Sequence, residues 1–335
     1  MSDYTPLQDR IVTVFGGSGF LGRHLVRALA RDGWRVRVAT RRPDLAFHLQ
    51  PLGQVGQIHA VQANVRYPES LAGALRGAEA AVNLVGILAP TGKQTFEAVQ
   101  AEGAGAIASA AQAAGITNFV HFSAIGADAE GPSEYARTKA AGEKAALEAL
   151  PSAKILRPSV VFGPEDQLFN RFAAMARIMP VLPLIGGGVT RFQPVYVGDV
   201  AETGARLLRG AGQEGTVYEL GGPAIKTLRE IFEFVLATTQ RRRILAPLPF
   251  PLASMVGGVS ELANKLLLGM IPLEFTVTRD QVEQLKRDNV VSAEAIAEGR
   301  TLAGLGLRAE SIESIVPAYL YRFRKSGQFS GHWAV

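Results

Sequence analysis

The chain has no cysteine among its 335 residues. That excludes a disulfide framework, a thiolate metal site and a cysteine nucleophile, and it suits a reducing compartment. No stretch reaches the roughly 18 uninterrupted apolar residues that a spanning helix needs. The first ten residues are polar and lack the apolar core of a signal peptide. The expectation is therefore a soluble or peripheral protein. No nucleic-acid module, internal repeat or low-complexity tract is visible, so no nucleic-acid partner is expected. The five histidines show no ligand spacing, so no metal site is expected. The net charge of +5 comes from Lys and Arg spread along the chain, as solubility alone would require. Hydrophobic residues make up 47%, enough for a substantial core.

The first half alternates short apolar runs with helical patterns. Residues 10–15 (RIVTVF), 35–39, 57–61, 80–85, 118–122, 154–157 and 159–162 read as strands. Residues 20–31, 99–114 and 134–150 read as helices. Strands alternating with helices imply βαβ units and a parallel sheet with right-handed crossovers. The predicted fold class is α/β, a Rossmann doubly wound sheet over residues 8–163, followed by a smaller C-terminal α/β domain over 164–335. Within that second part, Pro and Gly punctuate 164–188, which reads as a looped segment. Residues 192–197 and 216–220 look like strands returning to the Rossmann sheet, and 227–238 looks helical.

Gly16, Gly17, Ser18, Gly19, Phe20, Leu21 and Gly22 lie between the first strand and the first helix. Glycine is needed there for a sharp turn, for close approach of backbone to a pyrophosphate, and for tight helix–strand packing. The helix N-terminus then offers amides and a positive dipole end to the phosphates. The strand before and the helix after meet the condition that separates this motif from an ordinary turn. After the second strand stand Arg41 and Arg42, where an NAD protein commonly places an acid for the ribose 2′-hydroxyl. A guanidinium pairs well with a 2′-phosphate, so NADP(H) is the expected cofactor. A solvated pair at a helix start is the competing reading, and Asp44 keeps NAD(H) open.

Tyr135 and Lys139 share one helix face at i and i+4, behind Ser133 as a candidate N-cap. Ser123 lies just past the fifth strand, at the edge where open α/β sheets bind ligands. An ammonium near a phenol favours the phenolate over its usual pKa of about 10. Ser123, Tyr135 and Lys139 are thus candidate catalytic residues, with Tyr135 and Lys139 also placed to hold a nicotinamide ribose.

With these residues in order, the sequence resembles the extended or atypical branch of the short-chain dehydrogenase/reductase family. Residues 156–164 (LRPSVVFGP) and 193–200 (QPVYVGDV) resemble the family's exit from and return to the sheet. The resemblance implies cofactor contacts at Asn64, Val65, Val85, Gly86 and Pro158. Within that branch the chain is similar to the nucleotide-binding accessory subunits of respiratory complex I, through residues 82–86 (VNLVG), 162–166 (FGPED), 247–252 (PLPFPL) and 276–283 (TVTRDQVE). That likeness implies a tightly held NADPH with a structural or assembly role outside the electron path. It implies partners among the other complex I subunits of the peripheral arm, near the quinone site. It also implies a peripheral location, on the cytoplasmic face of a bacterial inner membrane or the matrix face of the mitochondrial one. One departure concerns catalysis: Gln100 stands where many extended relatives carry an Asn, which puts a proton relay in doubt. A free-standing NADP-dependent reductase, dehydrogenase or epimerase is the alternative, and a redox-sensing regulator a third.

In the tail, residues 244–260 are uncharged and interrupted by Pro247, Pro249 and Pro251, so they cannot span a bilayer as a helix. Arg241, Arg242 and Arg243 precede a mostly apolar stretch, 252–273. Such a pairing suits anionic lipid headgroups; packing inside the second domain with solvated arginines is the competing reading. Phe329, His332 and Trp333 near the end suit docking onto a partner.

Overall fold

A computed structural model describes residues 9–266, 278–325 and 327. Phe329, His332, Trp333 and residues 267–273 of the apolar stretch lie outside the described residues. In chain order the elements are β1 (Ile11–Phe15), α1 (Phe20–Arg31), β2 (Arg35–Thr40), β3 (Ile58–Gln62), α2 (Glu69–Leu75), β4 (Ala80–Asn83), α3 (Glu102–Ala113), β5 (Asn118–Phe122), α4 (Glu134–Ala149) and β6 (Lys154–Pro158). They continue with β7 (Val161–Phe162), α5 (Phe169–Ile178), β8 (Val181–Ile185), β9 (Arg191–Phe192), β10 (Val195–Tyr196), α6 (Val197–Leu208), β11 (Val217–Leu220), β12 (Lys226–Thr227), α7 (Leu228–Thr238), β13 (Ile244–Leu248) and α8 (Phe250–Leu266). Shorter helical turns follow.

The chain divides into two compact units. The first gathers residues through Pro158, Val197–Leu220 and Val291–Arg308. It holds a seven-stranded sheet in the order β11-β6-β5-β4-β1-β2-β3, with every neighbouring pair parallel. This is the doubly wound α/β architecture predicted, and its strand order reverses between β1 and β4, the switch point where such sheets bind ligands. Strand alternation sends Phe15, Ala39, Ala81, Phe119 and Ile155 into a core shared with Leu71, Ile107 and Ala146 of α2, α3 and α4. The short helix α2 escaped the sequence pattern. Its end is held by the sheet: the Thr13 hydroxyl and the Arg37 guanidinium both donate to Ala74 O, at 2.7 Å each.

The second unit comprises Ser159–Tyr196, Gly221–Val290 and the residues from Ala309 on. Its core joins Phe162, Phe169, Ala173 and Ala176 to Ile231, Phe232 and Val235 of α7 and to Val316 and Leu320. Asp166, buried, organises one corner: Oδ2 accepts from Gly163 N–H (3.2 Å) and the Tyr319 hydroxyl (2.5 Å), and Oδ1 accepts from Asn170 N–H (3.1 Å).

Three expectations are corrected here. Residues 159–162 do not extend the Rossmann sheet, because the first unit ends this stretch at Pro158 and β7 belongs to the second unit, where it pairs with β10. Residues 164–188 are no loop, because they contain α5 and β8. Residues 192–197 do not return to the Rossmann sheet. β9 pairs with β12, and β10 pairs with β7, each in a two-stranded ladder, while α6 begins at Val197. Only β11 returns, beside β6.

Candidate functional site

The predicted cofactor residues gather along the C-terminal edge of the first unit's sheet. Gly16 follows β1 at φ +77°, a conformation costly to any residue with a Cβ. A Cβ at Gly22, in the first turn of α1, would sit 2.5 Å from Gly16 O, so the turn and the helix can approach this closely only with glycine there. Gly19 N–H donates to Gly16 O at 3.1 Å and closes the turn. No side chain caps α1, so its first amides and positive dipole end are left to an anion.

Beyond β2, Arg41 and Arg42 are both exposed. Arg42 forks onto Asp44, with Nη2–Oδ2 at 2.8 Å and Nε–Oδ1 at 3.1 Å. The hydrogen bond from Arg42 holds the Asp44 carboxyl below its ordinary range. Both side chains are exposed, so this is a surface pair that either partner can readily exchange. Arg41 makes no ion pair among the described residues. Past β3, Asn64 Oδ1 accepts from Arg66 N–H (3.2 Å) in an Asx turn, and Ser70 Oγ accepts from Asn64 N–H (2.9 Å). Val65 packs toward Gly103 of α3, where an added Cβ would meet its Cγ2 at 3.0 Å.

The loop after β4 lies beside the glycine turn: a Cβ on Gly16 would meet Leu84 C at 3.0 Å and Val85 N at 3.1 Å. Buried Asn83 holds the loop, its Oδ1 accepting from Val85 N–H at 2.9 Å. Its Nδ2 therefore faces His121 Nδ1, at 3.0 Å. That contact makes Nδ1 the acceptor and leaves the proton on Nε2. Burial, helped by the Lys139 charge, pushes His121 down to about 3, so the ring is neutral at ordinary pH.

Ser123 follows β5, its N–H donating to Leu156 O (2.7 Å) and its buried Oγ without a partner among the described residues. Ser133 caps α4 as expected, accepting from Ala136 N–H. Tyr135, half-buried, stacks edge-on with Phe96 at 5.8 Å. Lys139 is buried; its Nζ donates to Phe122 O at 3.2 Å, lies 5.9 Å from the Tyr135 ring centroid, and would sit 3.4 Å from a Cβ on Gly86. Burial pushes its pKa down to about 8, opposed by the Glu143 carboxylate. Glu143 in turn forks with Arg157 of β6 at 2.6 and 2.8 Å, which ties α4 to the sheet beside buried Pro158. The structure thus brings Ser123, Tyr135, Lys139 and Gly86 together at the ends of β4 and β5. Arg41, Arg42, Asn64 and Val65 stand on the other side of the glycine turn. Chemically, this edge sets an uncapped helix N-terminus behind a glycine turn, and a half-buried phenol with a buried, reluctantly charged lysine 5.9 Å from its ring. Sequence reasoning missed His121, Asn83 as a side-chain anchor, and the Glu143–Arg157 pair. The one signal for His121 was a polar residue inside an apolar strand (NFVHF), two positions before Ser123 and so on the same face.

The fold and this edge define a dinucleotide-binding Rossmann protein of the short-chain dehydrogenase/reductase type. The chain belongs to the NAD dependent epimerase/dehydratase family, whose model matches residues 12–221, and within it to the group of NADH dehydrogenase [ubiquinone] subunits that resemble it along nearly its whole length. The NADH dehydrogenase [ubiquinone] 1 alpha subcomplex subunit 9, mitochondrial, of Arabidopsis thaliana is 34% identical over 320 residues, which span 95% of this chain and 79% of the relative. A ceramide reductase of Caulobacter vibrioides is 37% identical over 191 residues, 57% of this chain and 58% of that protein. Among solved structures, the NADPH-dependent quinone oxidoreductase of Escherichia coli complexed with NADPH superposes with TM-score 0.70 at 20% identity, covering 92% of this chain and 99% of that one. That last likeness concerns the fold.

Proposed function

We propose that this chain is a nucleotide-holding accessory subunit of respiratory complex I, NADH:ubiquinone oxidoreductase, standing outside the electron path. The observation that carries the reading is the reach of the similarity. It spans 95% of the chain, well past residue 221, where the family model ends; the tail is shared as well as the nucleotide fold. The partners are the other subunits of the peripheral arm near the quinone site. The location is peripheral, on the cytoplasmic face of a bacterial inner membrane or the matrix face of the mitochondrial one. No described helix is long and apolar enough to cross a membrane. Extraction of membranes in mild detergent tests the assembly, since the chain should travel with NADH:ubiquinone reductase activity.

The tail contributes a docking surface. Leu252, Met255, Val256 and Val259 of α8 are exposed at i, i+3, i+4 and i+7, one continuous apolar stripe on a helix. It suits a partner subunit or the apolar edge of an anionic lipid layer. The basic cluster contributes less charge to lipid than its sequence suggested. Arg241 donates to Phe323 O (2.8 and 3.0 Å) and Arg243 to Ala176 O (2.8 Å), leaving Arg242 as the most exposed of the three.

NADP(H) is the nucleotide this reading assigns, with its 2′-phosphate on Arg41 and Arg42 and its pyrophosphate on residues 16–22. Asn64 and Val65 border the adenine, and Val85, Gly86, Tyr135, Lys139 and Pro158 the nicotinamide half. Calorimetry tests the choice: R41A/R42A should lower NADPH affinity about tenfold to a hundredfold while changing NADH affinity little, the worth of one or two charge-assisted hydrogen bonds. Equal losses for both nucleotides would remove the assignment. A second reading, an NADP-dependent carbonyl reductase, is favoured by the orphaned Ser123 hydroxyl beside Tyr135 and Lys139 and by the ceramide reductase likeness. Turnover of a carbonyl compound by the purified chain would bring it forward.

A further inference from the structure

We propose that Gln100 is a positioning residue that latches the loop after β4, residues 84–87, and thereby slows escape of the bound dinucleotide. The inference rests on the nucleotide-holding reading above. Gln100 lies in a π turn, Glu97–Ala101, that runs directly into α3. Such turns insert a residue into a helix at some cost and concentrate at functional positions. Here the turn presses the backbone of Gln100 against α4, where a Cβ on Gly142 would fall 2.2 Å from Gln100 O. Glycine at 142 is what admits the approach.

The side chain is 2% exposed. Nε2 donates to Ile87 O at 2.6 Å. Oε1 lies 3.1 Å from the Thr138 hydroxyl, whose single proton it shares with Glu134 O at 2.8 Å and Tyr135 O at 3.2 Å. The carbonyl of Ile87 can only accept, so the amide's orientation is fixed. Both ends of the amide thus face partners within the protein, and the bond to Ile87 ties the turn to the loop.

Ile87 closes the loop whose other end is anchored by His121 through Asn83 to Val85 N–H. Between those anchors, Leu84 and Val85 back the glycine turn, and Gly86 lies near the Lys139 ammonium. The loop therefore stands between the group assigned to the pyrophosphate and the group assigned to the ribose. Freeing its Ile87 end should let both partings open together.

Gln100→Met keeps the volume and removes the amide, and Thr138→Val removes the hydroxyl while Thr138→Ser restores it. Protein loaded with NADPH is chased with excess unlabelled nucleotide, and release is timed. Q100M should release about tenfold faster, the loss of one buried hydrogen bond. T138V should move the same way by less, since that proton is shared with Glu134 O; T138S should match the wild type, and Q100M/T138V should be no faster than Q100M because both act through one latch. Hydrogen exchange of residues 84–88 in the nucleotide-free protein supplies a second readout. It should quicken in Q100M while residues 118–122 keep their protection, and this holds whether or not nucleotide binds. A wild type that binds no nicotinamide nucleotide in calorimetry would count against the underlying reading, and the exchange arm would still judge the latch. Release unchanged in Q100M, or exchange unchanged at 84–88, overturns the proposal.

Discussion

Gly22→Ala is expected to lower affinity for NADPH by about a hundredfold while leaving a folded protein. The added methyl would lie 2.5 Å from Gly16 O and 2.6 Å from Gly17 C, and both neighbours are backbone, so no rotamer change relieves the clash. The turn must move. Gly16 cannot follow freely, because it already packs against Leu84 and Val85 and sits at a positive φ. Displaced amides then miss the phosphates. Losing about two charge-assisted hydrogen bonds costs roughly 3 kcal/mol, a factor of about a hundred. Overpacking by one methyl costs about 1–3 kcal/mol of stability, which a domain of ordinary stability survives. Calorimetry and thermal melting of the same samples check both halves. Undiminished affinity would mean that the turn does not hold the nucleotide.

Lys139→Met should make the nucleotide-free protein more stable and, at the same time, a poorer binder. Lys139 is buried and held near pKa 8, below its unfolded value of about 10.4. Between pH 8 and 10.4 the unfolded chain binds more protons at this group than the folded one does, so wild-type stability rises with pH across that window. Below pH 8 the cost of burying the ammonium is fully present, on the order of 3 kcal/mol. Methionine fills similar space without charge. It forfeits the bond to Phe122 O, worth about 1 kcal/mol, and leaves the Glu143–Arg157 pair intact. A net gain of about 1–3 kcal/mol, several degrees in Tm, is expected at pH 7, together with loss of the rise above pH 8. Affinity for NADPH should fall about tenfold or more. A buried charge kept at the expense of stability is the mark of a binding site. A destabilised K139M with unchanged affinity would make Lys139 a structural residue.

Much of this edge was legible in the sequence because its signals are local. A glycine turn needs its neighbours only, Tyr135 and Lys139 share a face by helix geometry, and Ser133 caps the helix it precedes. What escaped depends on partners distant in sequence. The helix α2 is seven residues long with Gly73 inside, too short to declare itself, and it is held at Ala74 by Thr13 and Arg37. The prolines of 164–188 suggested a loop. Pro183 instead lies in β8, whose described partner is β13 alone, and an edge strand tolerates a missing N–H. The two-residue strands near 192–196 pair with β12 and β7, and distant Asn289 braces them by bonding Ser159, Val160 and Gln193. Neither His121 nor Gln100 announces its partner, since strand and helix patterns show which face a side chain takes and not what it meets there.

The central claim, a nucleotide-holding subunit of complex I, is tested most directly in native membranes. Membranes are extracted in mild detergent, the chain is followed through sizing, and each fraction is assayed for NADH:ubiquinone reductase activity and for NADP(H) released on denaturation. The account predicts that the chain migrates with that activity in a large assembly and that the assembly yields NADP(H) in proportion to the chain. A chain found wholly as a small soluble species, apart from the reductase activity and turning over NADPH with a carbonyl compound, would contradict it.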